Sequence, residues 1–314
     1  MTTNHSFLLF AGSSHPELGK QIAEELKVPL GQVAIDTFPD REIGIEVLES
    51  VRGRDVFVLQ TIARRPNHYL MEMLILVDAL KRASARSIGF LVPYFGYSRQ
   101  DRKDRGRVPI TAKLVANLMQ TAGLTRGLTM DLHAAQIQGF FDIPVDNLPA
   151  RPVLIEAIRK EKIEDVVVVA PDLGSIKLAR AYAEGLQADF AIMDKRRLDA
   201  EHVEPGALIG TVSGRNVLLV DDMVTTGETL KIAAQVCKRS GAKRIFAAVT
   251  HGVFAGQIFE NSAIEKMFVT NTLPLPENFP VEKVEVVSVA PLFSRALESV
   301  LAAKSISSLY QKND

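Results

Sequence analysis

Residues Asn216–Leu230 read NVLLVDDMVTTGETL. The apolar run Val217 to Val220 lacks polar alternation, as expected of a strand covered by helices on both faces. The run ends in Asp221-Asp222, and a Thr-Thr-Gly-Glu-Thr turn leads into helical periodicity. A strand that turns directly into a helix is half of a βαβ unit, so this stretch argues for a parallel sheet. It also outlines a site. Adjacent carboxylates at a strand end repel each other and resist desolvation unless a cation or hydroxyl groups meet them. Thr225, Thr226, Gly227 and Thr229 supply hydroxyls and the unpaired N–H groups of a helix start, which suit phosphate. Acids for hydroxyls beside a cradle for phosphate describe a sugar-phosphate site. The plainer alternative is an N-capped helix with two solvated aspartates.

Working outward, similar apolar runs occur at Ser6–Phe10, Val56–Gln60, Ile88–Val92, Val166–Ala170 and Ile245–Val249. Helical patterns lie between them. Pro109–Thr121 should open on Pro109 and stop at Gly123, with Leu114, Val115, Leu118 and Met119 on one face. Val153–Lys160 repeats the pattern with Leu154, Ala157 and Ile158. The expected class is α/β, with mostly parallel sheets flanked by helices.

The chain also resembles itself. LKRASARSIGFLVPYFG from Leu80 and CKRSGAKRIFAAVTHG from Cys237 match at an offset of 157 residues, half of the chain's 314. GRDVFVLQ from Gly53 and GRNVLLVD from Gly214 recur at an offset of 161. Two matches in the same order favour a tandem duplication. The expected domains are 1–148 and 149–291, divided near NLPARP, with the amphipathic tail 292–314 packing back on the first. Ligands of such sheets bind beyond the carboxyl ends of the strands, so the residues just after each apolar run matter most.

Composition narrows the function. Lys plus Arg and Asp plus Glu are each 37, a formal charge of zero, which gives no global attraction for nucleic acid or an anionic membrane. With 47% hydrophobic and 24% charged residues the chain is ordinary for a globular protein. The single Cys237 rules out an internal disulfide and a cysteine-built zinc site, and reads as a small buried side chain. MTTNHSFLLFAG lacks a basic segment followed by a long apolar one, and no apolar run approaches membrane-spanning length. A cytoplasmic location is expected.

Four other segments carry candidate chemistry. Arg99 to Arg107 contains Arg99, Arg102, Lys103, Arg105 and Arg107 against Asp101 and Asp104, after the strand Ile88–Val92. It is either an anion-binding loop or a solvated basic one. Phe38, Asp40 and Glu42, in TFPDREIGIEV, fall on one face if that segment is extended; they suit a purine or an ordinary surface strand. His133 follows the probable strand Leu128–Asp131, as a ligand or as a satisfied structural group. Lys195, Arg196 and Arg197 follow the run FAIMD, as a phosphate-facing loop or a solvated turn.

The segment from Asp221 to Thr229 resembles the ribose-phosphate signature of type I phosphoribosyltransferases. The resemblance narrows to the ribose-phosphate pyrophosphokinase family through TFPDREIGIEV, ALKRASA, VPYFGYSRQDRK, DLHAAQIQGFFDIPVDNL, VVAPDLGSIKLAR, DKRR and SISSLY, in order along nearly the whole chain. It implies two duplicated phosphoribosyltransferase-like domains. It implies transfer of the β,γ-pyrophosphoryl group of ATP to the C1 hydroxyl of ribose 5-phosphate. By resemblance, Phe38, Asp40, Glu42, Arg99, Gln100 and His133 contact ATP. Asp221, Asp222, Thr225, Thr226, Gly227 and Thr229 hold ribose 5-phosphate. Lys195 and Arg197 act in catalysis, and His133 with Asp172 attends Mg²⁺. The family further implies a homo-oligomer, a hexamer built from dimers, in which the Phe38 loop reaches a neighbouring subunit's site, and inorganic phosphate as an activator.

This sequence departs from the common bacterial form in places. TTGET stands for Asp-Thr-Ala-Gly-Thr, PDLG for PDHG, TIARRPNHYL is altered, and Gly106 replaces a serine tied to phosphate or ADP regulation. Glu228 beside a phosphate is expected to point away. A phosphoribosyltransferase would leave the N-terminal half and Lys195 to Arg197 unused. A non-catalytic regulatory subunit would have no need of His133, Asp172, Lys195, Arg197 and both aspartates. No GxGxxG follows the first strand, and GSSHPELGK has neither the spacing nor the Ser/Thr of a Walker A loop.

Overall fold

The computed structural model describes residues 7–193, 208–277 and 279–310. They form two compact units, one of residues up to Pro149 together with those from Val289 onward, the other Ala150–Ser288.

In the first unit the chain runs β1 (Phe7–Ala11), α1 (Pro16–Leu26), β2 (Val33–Thr37), β3 (Ile43–Val47), β4 (Asp55–Leu59), α2 (Pro66–Arg82), β5 (Ser87–Val92), α3 (Thr111–Ala122), β6 (Arg126–Met130) and β7 (Val145–Leu148). Five strands pair in the order β1-β4-β5-β6-β7, all parallel. Phe7, Leu8, Leu9 and Phe10 are all buried, because helices cover both faces of the sheet. The C-terminal helix Ala290–Leu301 packs on α1, where the Ser294 hydroxyl donates to the Ile22 carbonyl at 3.4 Å.

The second unit continues with α4 (Arg151–Lys160), β8 (Val166–Ala170), α5 (Ile176–Leu186), β9 (Asp189–Met193), β10 (Leu208–Ile209), β11 (Asn216–Val224), α6 (Glu228–Arg239), β12 (Arg244–Gly252), β13 (Lys266–Thr270) and β14 (Val284–Val287). Its sheet order is β10-β9-β8-β11-β12-β13-β14, parallel except for the β10–β9 pair. Within it β8-β11-β12-β13-β14 repeats the order of the first sheet. Strands two and three differ: β9 and β10 widen the second sheet, whereas β2 and β3 pair only with each other. Cys237 is buried on α6, and that burial pushes its thiol up to about 12.

Several elements differ from expectation. β11 continues through both aspartates to Val224, because β12 keeps pairing with it as far as Val224↔Gly252 after β8 has stopped at Leu219↔Val169. The third helix opens at Thr111 rather than Pro109, since the Gln100 carbonyl caps it by accepting the Ala112 N–H at 3.2 Å. Its buried stripe is Ala112, Val115, Ala116 and Met119. Leu114 and Leu118, expected on that face, are 54% and 40% exposed. They sit one residue round the helix from the stripe, about 100° away.

Phe38, Asp40 and Glu42 do not share the face of a strand. Pro39 to Arg41 form a turn in which the Phe38 carbonyl accepts from Arg41 and the Phe38 N–H donates to Glu42, both at 2.8 Å. Proline fixes the first turn residue, the Asp40 carboxylate accepts the Glu42 N–H at 3.1 Å, and Arg41 adopts φ 74°. Turn chemistry overrides the alternation on which the one-face reading rested.

Candidate functional site

In the second sheet β8 and β9 wind to one side and β11 and β12 to the other, so the strand order reverses between β8 and β11. Such a reversal opens a crevice beyond the carboxyl ends of the two strands. Asp172 lies just past β8, and Asp221 lies on β11 just past its pairing with β8. Asp172 is held by Ser175, whose N–H and hydroxyl reach its Oδ1 at 3.1 and 3.3 Å. Asp221 Oδ1 accepts the Asp222 N–H at 2.9 Å. Burial, then repulsion from Asp222 and from Asp172, pushes the Asp221 carboxyl well above its usual range. Three acids crowd one edge, and the cost falls with a cation or hydroxyl donors present.

The turn after β11 sits beside them. Gly227, at φ 85°, is the N-cap of α6 and, having no side chain, makes no side-chain cap bond to that helix. A Cβ on Gly227 would come within 2.2 Å of Ile258 Cδ1, and one on Gly256 within 2.8 Å of the Thr226 carbonyl oxygen. The Val253 and Ala255 N–H groups donate to Val224 and Thr225 at 2.9 Å, so segment 252–258 braces the turn from behind. Thr225 and Thr229 are half-buried, Thr226 and Glu228 exposed. The first-turn N–H groups of α6 and the threonine hydroxyls are a set of donors for an oxyanion.

The first unit holds a cavity of about 550 Å³ that brings together Arg99, Gln100 and His133. Asp101, Arg102, Asp104 and Arg105 of the basic loop line it too, together with Gln136, for which the sequence offers no signal. Gln100 is fixed at the start of α3, its Oε1 accepting the Thr111 hydroxyl at 2.5 Å. The loop behind it is pinned where the Ile62 N–H meets the Tyr94 carbonyl at 3.1 Å, and a Cβ on Gly96 would lie 2.4 Å from the Ile62 oxygen. Gln136 reaches Asp101 at 3.2 Å from the turn Ala135–Phe140, which explains its place in the wall. A cavity this size with three arginines in its wall suits a polyanion with an organic body.

Phe38 is 53% exposed at the hairpin tip, its ring over Gly44, with Asp40 and Glu42 exposed beside it. Lys195 and Arg197 lie outside the described residues. Among the described residues no three His, Cys, Asp or Glu side chains converge as a protein-only metal cage. Asp172, held by Ser175 at the crevice of the second unit, is an oxygen donor of the kind a hard divalent cation takes when water and phosphate fill the rest of its shell. Around Gly106 a Cβ would meet nothing within 4 Å.

A helix start braced for an oxyanion, set beside acids at the strand-order reversal of a parallel sheet, defines the type I phosphoribosyltransferase-like fold. The N-terminal domain model of ribose phosphate pyrophosphokinase matches residues 7–123, and the phosphoribosyl synthetase-associated domain matches 198–311. Ribose-phosphate pyrophosphokinase of Bacillus caldolyticus is 47% identical over 98% of this chain and 98% of its own. That of Wolinella succinogenes is 48% identical over 97% and 99%. The crystal structure of phosphoribosylpyrophosphate synthetase from Mycobacterium smegmatis superposes with a TM-score of 0.88, 41% identical, covering 95% of this chain and 99% of that one. The chain belongs to the ribose-phosphate pyrophosphokinase family.

Proposed function

We propose that this chain transfers the β,γ-pyrophosphoryl group of ATP to the C1 hydroxyl of ribose 5-phosphate, giving AMP and 5-phosphoribosyl 1-pyrophosphate. The observation that carries the reading is the glycine-opened, externally braced start of α6 beside Asp172, Asp221 and Asp222. Thr225 to Thr229 take the 5-phosphate, and Asp221 with Asp222 accept hydrogen bonds from the ring hydroxyls. Arg99, Gln100 and His133 hold ATP, with Phe38, Asp40 and Glu42 offering a stacking face and acceptors for the exocyclic amine of adenine.

In the transfer, the C1 oxygen bonds to the β-phosphorus as the bond from that phosphorus to the AMP oxygen breaks, and the hydroxyl proton passes to water. Placement and charge do most of this work, and no covalent enzyme intermediate is needed. Lys195 and Arg197 neutralise charge on the β-phosphorus and the departing AMP oxygen, more strongly in the transition state than before it. Mg²⁺, when bound, supplies charge neutralisation on the phosphate chain. Asp172 and His133 are the residues we assign to it, His133 through water or phosphate rather than by direct ligation.

The same reading includes work in the cytoplasm and a homo-oligomer, a hexamer built from dimers, in which the exposed Phe38 hairpin serves a neighbouring subunit. Activation by inorganic phosphate belongs to it too. Among the described residues no helix is long and apolar enough to cross a membrane.

The test is product analysis. With Mg²⁺, ATP and ribose 5-phosphate, the protein should form equimolar AMP and phosphoribosyl pyrophosphate. ADP as the nucleotide product would reject the assignment.

A further inference from the structure

The first sheet has an edge equivalent to the crevice of the second. Counting from the paired strand starts, Phe7 with Asp55 and Val166 with Asn216, Ser13 corresponds to Asp172 and Gln60 to Asp221. In the second unit this edge is lined by acids that repel one another. In the first it is lined by donors, and a carboxylate from the same unit fills it. Glu72, on α2, is 1% exposed. Its Oε1 accepts the Ser13 N–H at 2.7 Å and the Gln60 Nε2–H at 2.8 Å, and its Oε2 accepts the Ser13 hydroxyl at 2.5 Å. His68 Nε2 stands 3.6 Å from the same Oε2.

The structure assigns Glu72 as a built-in occupant of an oxyanion site, closing in the first unit the crevice that the second leaves to its ligand. Three hydrogen bonds converge on the carboxylate from the loop after β1 and the end of β4, which is how a free carboxylate would be bound. The shell around it is itself fixed. Gln60 Oε1 accepts the Ser14 hydroxyl at 2.5 Å, and Ser14 Oγ accepts the Thr61 N–H at 2.8 Å. Gln60 is thereby oriented with its amide N–H toward Glu72. Gly12 completes the fit, since a Cβ there would lie 2.5 Å from Gln60 Oε1 and 2.8 Å from Glu72 Oε1. Removing the Glu72 side chain leaves these donors around a space that accepts a small carboxylate such as formate. The comparison with the second unit rests on the proposed function; the network around Glu72 does not.

The test replaces the occupant in the full-length protein. Glu72→Ala should lower the melting temperature by roughly 5 °C or more, because buried donors lose their acceptor. Formate should restore most of that loss along a saturable curve, relative to chloride at equal ionic strength, and leave the parent protein unmoved. Equal responses to formate and chloride, or equal formate shifts in parent and variant, would overturn the proposal. Glu72→Gln keeps the volume and gives a second reading if the alanine variant does not fold. It should melt below the parent and ignore formate. A glutamine variant as stable as the parent would equally overturn it, because the shell would then not be selecting an anion.

Discussion

Asp221→Asn should make the ligand-free protein more stable at neutral pH, although it removes a residue assigned to sugar binding. Burial and two neighbouring carboxylates hold the Asp221 carboxyl well above its usual range in the folded chain, whereas the unfolded chain leaves it near 3.8. The folded state therefore binds the proton more tightly. The penalty is absent below the unfolded value, grows as pH rises between the two values, and is complete above the folded one. Each unit of elevation costs about 1.4 kcal/mol once the group is ionised. In a unit of this size ~1 kcal/mol moves the melting temperature by ~2–4 °C, so the expected gain is on the order of a few degrees. Asparagine keeps an oxygen to accept the Asp222 N–H at 2.9 Å, so that bond is not sacrificed. Parent and variant should be melted without ligands from pH 4 to 8. The advantage should be largest at the alkaline end and shrink toward the acid end. A variant equal to or less stable than the parent at pH 8, or an advantage that grows on acidification, would refute the account of crowded acids.

Gly256→Ala should force the turn at Thr226 to shift, because its Cβ would sit 2.8 Å from backbone oxygen rather than a flexible side chain. The expected result is a loss of about 1–3 kcal/mol in thermal stability. With it, KM for ribose 5-phosphate should rise roughly tenfold and KM for ATP stay constant; steady-state kinetics on both substrates separates the two. Phe38→Ala should leave the melting temperature within a degree or so, since the ring is 53% exposed. It should raise KM for ATP, and unchanged nucleotide kinetics would remove the hairpin from that role.

The parallel sheets were legible because their strands, such as Val166–Ala170, are apolar without alternation, and full burial produces that pattern. The grouping of the candidate residues in the second unit was legible for a related reason: a doublet of aspartates and a threonine-glycine turn fall together at one strand-helix junction. Periodicity failed where a neighbour decided the outcome. Leu114 and Leu118 match the helical stripe by spacing, yet the helix joins the core of the first unit through Ala112, Val115, Ala116 and Met119. At Phe38 alternation is a poorer guide than Pro39 and Asp40, whose turn chemistry decides the backbone. The brace at 252–258 has a sequence signal in Gly252, which ends the buried strand β12, and in Ala255-Gly256 just after it. Glu72 had none, since nothing marks one glutamate of an amphipathic helix as buried by partners near residues 13 and 60.

The β2–β3 hairpin shares no ladder with either sheet. A ribbon bonded only to itself can lengthen or shorten by matched pairs of residues without disturbing the register of any core strand. Its tip carries Phe38, Asp40 and Glu42, so a change in ribbon length would carry those three side chains outward or inward together while both sheets keep their pairing.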